Sequence, residues 1–94
     1  MPNKLQLEQP KDNKMEHEKR ETVDNRIREQ VIHALGTPAD LHDVQVRMVW
    51  ADHYRVNVFV GANAGSVKVA NSFFVVIGSD GNLITATPKI TKQY

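Results

Sequence analysis

Histidines are the first residues of this sequence that could do chemistry, because imidazole binds metals and exchanges protons near neutral pH. The chain has four of them: His17, His33, His42 and His53. No two are spaced four residues apart, as ligands on one helix face would be, and zinc sites usually show such ligand spacing. The chain has no cysteine, so a thiolate site is excluded. We therefore predict no metal, no cofactor and no catalytic residue.

A second candidate is the segment in which Asp52 and His53 lie between Trp50 and Tyr54. An acid and an imidazole beside two aromatic rings would suit a small ligand-binding or catalytic pocket. Asp and His also tolerate the positive φ of tight turns. We prefer the turn and keep the pocket as an alternative.

Glycines at 61 and 65, followed by Ser66 and Lys68, have the composition of a phosphate-binding loop. Such loops need a helix N-terminus after the glycines, whereas a strand is predicted here. We interpret residues 61–65 as a flexible connection.

A basic and aromatic surface is predicted on one side of the sheet, from Arg47, Arg55, Val49, Phe59 and Phe74. Such a surface could stack single-stranded nucleic acid or form a protein interface. The net charge of +1 gives no strong field, which favours the interface. The leading hypothesis is a non-enzymatic interaction module that forms a homodimer, with nucleic-acid binding as an alternative.

One helix must precede the sheet, because apolar residues recur at helical spacing. The stripe consists of Val23, Ile27, Val31 and Leu35, helped by Ile32 and Ala34. Asn13 or Thr22 is its possible start, and Gly36 followed by Pro38 predicts its end at Leu35. Residues 1–13 are polar and without period, so we expect a disordered arm before a single domain spanning 14–94.

Three apolar segments, 44–50, 54–60 and 72–77, are separated by turn residues, and Asp80-Gly81 leads to a fourth at 83–87. This order predicts an α+β fold: one N-terminal helix on a four-stranded antiparallel meander, in two layers. Residues 67–71 are expected to extend the third strand, with a bulge near 70–72. Residues 73–77 are apolar throughout, so both faces of that strand should be covered.

The register of the first hairpin is predicted from its faces. A three-residue loop, 51–53, places eight apolar residues on one side. The predicted pairs are Trp50 with Tyr54, Met48 with Val56, Val46 with Val58, and Val44 with Val60. Two loops are possible for the last hairpin: residues 80–81, or residues 79–81 with a bulge. The two alternatives place the side chains of the fourth strand on opposite faces of the sheet.

Size and composition add a further expectation about association. At 94 residues the chain buries a small core and gains stability from self-association, since no disulfide is available. No apolar run indicates a signal peptide or membrane span, so we expect a cytoplasmic protein without a membrane partner.

The helix-then-meander order resembles cystatin-like and PepSY-like small domains. Residues 54–58 and 80–84 are similar to the strand and turn pattern of the latter. The inhibitory Gln-x-Val-x-Gly loop of cystatins is missing, because residues 57–61 hold the valine and glycine in another frame. The resemblance implies a fold and carries no functional residue.

Overall fold

The computed structural model describes residues 21–94, and within them one helix precedes four strands. The helix α1 covers residues 21–35. The strands are β1 (Leu41–Trp50), β2 (His53–Val60), β3 (Lys68–Ile77) and β4 (Leu83–Thr87), with a 3-10 turn at Ala64–Ser66. All neighbours are antiparallel in the order β1-β2-β3-β4. The predicted α+β fold is confirmed. The proposed arm and the candidate start at Asn13 lie outside the described residues.

Helix α1 is held to the sheet by its apolar stripe. Ile27, Val31 and Leu35 are all 0% exposed, and Val23 and Ile32 pack beside them. Thr22 lies inside the helix, so its predicted role as the start is wrong. The predicted end is confirmed: Gly36 has φ 90°, and its N–H donates to the Ile32 carbonyl at 2.8 Å.

The side of the sheet that contacts α1 is called the packed face. Its central residues come from β2 and β3, where Val56, Val58 and Val75 are fully buried and Phe73 is 2% exposed. β-branched side chains suit this position because they pack well on a pleated surface. Burying this face against the helix provides the core of the domain.

The predicted register of the β1–β2 hairpin is wrong by two residues. Val44 pairs with Val58, Val46 with Val56 and Met48 with Tyr54, while Trp50 pairs with His53. A two-residue turn at Ala51 and Asp52 closes the hairpin, and Asp52 takes φ 63° there. A shift of two residues leaves the faces unchanged, so face alternation alone could not detect it.

The extra residue in this hairpin is absorbed by a bulge at Val49, between Met48 and Trp50. A bulge reverses the alternation beyond it. Trp50 therefore lies on the side of the sheet opposite α1, and the prediction that all eight apolar residues share one side is wrong for Trp50.

The predictions for strands β3 and β4 agree more closely with the structure. A register shift places Ala70 in a bulge, as predicted, and β4 has the predicted bounds. The hydrogen bond from Gly78 N–H to the Asn82 carbonyl (2.9 Å) closes a loop of residues 79–81, and Ile84 is bulged. The three-residue loop is thus the alternative that the structure adopts.

Hydrogen bonds along α1 fix the helix relative to the sheet and the tail. Gln30 donates to the Gly81 carbonyl (2.9 Å) and accepts from the Leu83 N–H (3.0 Å). Arg28 Nε donates to the Val44 carbonyl (2.9 Å). At the helix end, the N–H groups of Gln93 and Tyr94 both donate to the Leu35 carbonyl. Helix carbonyls that lack an intrahelical partner are satisfied in this way.

We expect Gly36→Ala to lower the free energy of unfolding by about 1 to 3 kcal/mol. The φ of 90° disfavours any side chain, and an added Cβ would lie 2.6 Å from the Tyr94 carbonyl carbon. Urea unfolding followed by circular dichroism measures the change. Gly65→Ala is the control, because its Cβ would meet nothing closer than Asn63 Oδ1 at 3.4 Å. Equal stability of the two variants would contradict the expectation.

Candidate interaction face

The side of the sheet opposite α1 is called the open face, because no element within residues 21–94 packs on it. Residues that pair with one another on neighbouring strands form rows across the sheet, and alternate rows have their side chains on the open face. Its members are Asp43, Gln45, Arg47, Trp50, His53, Arg55, Asn57, Phe59, Val69, Ser72, Phe74, Val76, Thr85 and Thr87. The open face is therefore a continuous surface four strands wide.

A polar row crosses the middle of the open face. Ser72 Oγ donates to Asn57 Oδ1 at 2.7 Å, and Asn57 Nδ2 lies 3.5 Å from Gln45 Oε1. These side chains come from three neighbouring strands and satisfy one another. The polar row fixes side-chain positions on a surface that is otherwise accessible.

Beside the polar row lies the arginine pair, Arg47 and Arg55, which are directly opposite each other on β1 and β2. Like charges at such a position are destabilising. Arg55 makes a long contact of 3.4 Å with Ser72 Oγ. Within residues 21–94, no carboxylate forms an ion pair with either guanidinium. Two cations thus stand together without a countercharge from the described part of the chain.

The next group along the strands is the aromatic cluster of Trp50, His53 and Phe74. The Trp50 and His53 rings stack with centroids 4.4 Å apart and an interplanar angle of 26°. Phe74 lies 5.9 Å from Trp50 and 5.8 Å from His53. Trp50 nevertheless remains 56% exposed. The bulge at Val49 creates this cluster, since without it Trp50 would lie on the packed face.

The chemistry available on the open face is that of recognition. Guanidinium groups bind carboxylates or phosphates, and exposed rings stack on apolar or aromatic groups. The Ser72 hydroxyl is engaged by Asn57 and Arg55, not by a histidine. The imidazole of His53 is engaged by the Ala51 carbonyl, 2.7 Å from Nδ1.

Four of the five predicted interface residues, Arg47, Arg55, Phe59 and Phe74, share the open face, but they do not form one patch. Phe74 lies in the row of the arginine pair, whereas Phe59 lies beyond the polar row, between Asp43 and Val69. Val49 is the bulged residue and is 47% exposed. Arg47 and Arg55 are adjacent, as the predicted basic surface requires.

The four residues of the predicted pocket are divided between the two faces. Trp50 and His53 come together on the open face. Tyr54 lies on the packed face and is 7% exposed, while Asp52 occupies the turn. Alternation along β2 explains the separation, because His53 and Tyr54 are consecutive residues of one strand.

The remaining histidines are on the surface. His33 and His42 are exposed, and His17 lies outside the described residues. Within residues 21–94, no group of three or more His, Asp or Glu side chains is arranged to hold a metal ion. In the same residues, no helix has the length and apolarity needed to span a membrane.

Two grooves border the outer side of α1, away from the predicted sites. One has a volume of about 490 Å³ and lies between the helix end and Tyr94; the other, about 510 Å³, lies beside Leu83. Both are lined by Glu29 and His33. These two residues are four apart on a helix, a spacing in the sequence that indicates a shared face.

Comparisons with protein-family models, with curated proteins and with solved structures found no match. The resemblance to cystatin-like and PepSY-like domains stays a prediction.

We expect the protein to lose stability above about pH 10 because of Tyr54. Burial raises the pKa of this phenol above 10.0, and the charges of Asp24 and Asp52 add to the effect. The unfolded chain therefore ionises first. The stabilisation is complete below the unfolded pKa and is lost as pH rises through the folded pKa.

The melting temperatures of wild type and Tyr54→Phe, measured by circular dichroism from neutral to alkaline pH, test this expectation. Their difference should change steadily above about pH 10, because the variant has no phenol to ionise at this position. Tyr94→Phe, which leaves Tyr54 in place, is the control. A pH-independent difference between wild type and Tyr54→Phe would contradict the assignment.

Proposed function

We propose that this protein is a non-enzymatic interaction module that associates through the open face of its sheet, with a second copy of the chain as its partner. The observation that carries the proposal is the accessible aromatic cluster beside the arginine pair. A cytoplasmic location, expected from the sequence, stays part of this proposal.

The composition of the open face supports association. Trp and Arg are the residue types that dominate binding energy at protein interfaces, and aromatic residues are enriched there. Trp50 and Val69 are each about half exposed, at 56% and 50%. Large apolar side chains on an accessible sheet gain free energy when a partner removes them from water.

The size of the open face also suits a partner. Four strands spaced ~4.8 Å apart, with an average length of about eight residues at ~3.3 Å per residue, give a surface of roughly 19 by 26 Å. This is of the same order as the roughly 800 Å² that each partner buries in a standard interface, once side-chain relief is included. Covering the open face would add a second apolar layer to a small domain.

Single-stranded nucleic acid is the second candidate for this face. The stacked rings of Trp50 and His53 lie beside two guanidinium groups, which is the combination that binds bases and phosphates. The described residues carry seven Lys/Arg and seven Asp/Glu, so the face lies on a domain without net charge. This balance favours a protein partner.

We expect Phe59→Asp to dissociate the dimer, because a carboxylate buried without a partner typically costs several kcal/mol. The measurement is light scattering coupled to gel filtration, with loading up to about 100 µM, where a dimer of micromolar Kd is largely formed. Trp50→Ala should weaken the dimer by a smaller factor, because the Trp50–His53 pair lies at the end of the β1–β2 ladder, whereas the strongest contributions come from the centre of an interface.

Ala34→Asp is the control, since Ala34 is exposed on α1 in the other layer. It adds the same charge and should leave the dimer intact. Circular dichroism checks that each variant is folded. A wild type that stays monomeric at the highest loading would refute self-association. Salt-sensitive binding of an oligothymidylate by that monomer would favour the nucleic-acid candidate.

A further inference from the structure

Charges on the open face follow a simple order along strand β1. Asp43, Gln45 and Arg47 are alternate residues of the regular part of the β1–β2 ladder, so they share one side of the sheet. At ~3.3 Å per residue, Asp43 and Arg47 are roughly 13 Å apart, with Gln45 midway between them. A negative and a positive group thus lie at equal distances from the polar row.

Residues 21–94 of the same copy supply no countercharge to the arginine pair. Arg47 and Arg55 face each other without an ion pair from residues 21–94. Asp80 is engaged in its own turn, where the N–H and side chain of Asn82 bond to its carboxylate. Asp52 lies in the hairpin turn. Among the carboxylates of residues 21–94, Asp43 is therefore the one that belongs to a row of the open face.

Asp43 is suited to an intermolecular contact. Its side chain is exposed, and Oδ1 accepts the Val44 N–H at 2.8 Å. This hydrogen bond orients the carboxylate at the edge of the sheet. A carboxylate with a fixed orientation loses less conformational entropy when it binds a guanidinium.

We infer that the open face is self-complementary, and that two copies stack about a twofold axis that crosses the strands along the polar row. Each β1 then runs antiparallel over β1 of the second copy. Asp43 of each copy meets Arg47 of the other, which gives two equivalent ion pairs, as an isologous interface requires.

This inference rests on the proposed function, because it specifies how two associated copies are arranged. It also gives Arg47 and Arg55 a countercharge that residues 21–94 of their own copy do not supply. Their mutual repulsion within one copy is offset when carboxylates of the second copy lie beside them.

Charge reversal tests the arrangement. Asp43→Arg and Arg47→Asp should each raise the dimer Kd by about tenfold or more, because each places like charges across the interface. The double variant restores opposite charges in both contacts and should return to within about threefold of wild type. An equimolar mixture of the two single variants should form a heterodimer, since one copy then carries two arginines and the other two aspartates.

Sedimentation velocity at physiological salt measures these affinities. Glu29→Arg and Lys89→Asp form the matched control pair, because they change the net charge equally at exposed positions outside the rows of the open face. Neither these variants nor their mixture should alter the dimer. Asp43→Asn removes the charge but keeps an acceptor for the Val44 N–H, so it separates loss of the ion pair from loss of the local hydrogen bond.

The outcomes distinguish the two levels of the proposal. If the wild type dimerises, but neither the double variant nor the mixture recovers affinity, the twofold arrangement is wrong and the interaction module stands. If the wild type is monomeric at every loading, both fail. Recovery of affinity in the mixture of Asp43→Arg and Arg47→Asp, together with an unchanged dimer in the control variants, establishes the Asp43–Arg47 contact.

Discussion

One helix covers one face of a four-stranded sheet, and this constraint determines the rest of the structure. The stripe of Ile27, Val31 and Leu35 is completely buried, and it packs against the packed face of β2 and β3. With that contact formed, helix α1 cannot cover the other side. Within residues 21–94 no other element covers the open face, and its side chains are exposed or partly exposed.

Polar contacts give this packing a single orientation. Hydrophobic burial is not directional, so the stripe alone allows the helix to slide on the sheet. Gln30 bonds to two backbone groups around the β3–β4 turn, and Arg28 bonds to the Val44 carbonyl on β1. Contacts at both edges of the sheet therefore hold the helix in place on the packed face.

The bulge at Val49 links the fold to the proposed function. It places Trp50 on the open face, where the indole stacks on His53 and approaches Phe74. Without the bulge, the open face would combine arginines and a polar row with little exposed aromatic surface. Bulges are common where a strand must redirect a side chain for a binding site.

Much of the architecture could be predicted because it depends on local patterns. The spacing of Ile27, Val31 and Leu35 gave the helix, Gly36 gave its end, and alternation in β1 and β2 separated the two faces. These features depend on backbone periodicity and on the φ that glycine allows, and both can be recognised from a few neighbouring residues.

The sequence alone therefore determined the α+β class, the element order and the arginine and phenylalanine residues of the open face. Only the tertiary structure decided the hairpin register, the bulge at Val49 and the position of Trp50. A shift of two residues preserves every face, so the pattern cannot choose between registers. That choice depends on the turn at Asp52 and on the neighbouring strand, whose Ile77 N–H donates to the Asp52 carbonyl at 2.9 Å. Contacts between residues so distant in the chain form only when the whole sheet is assembled.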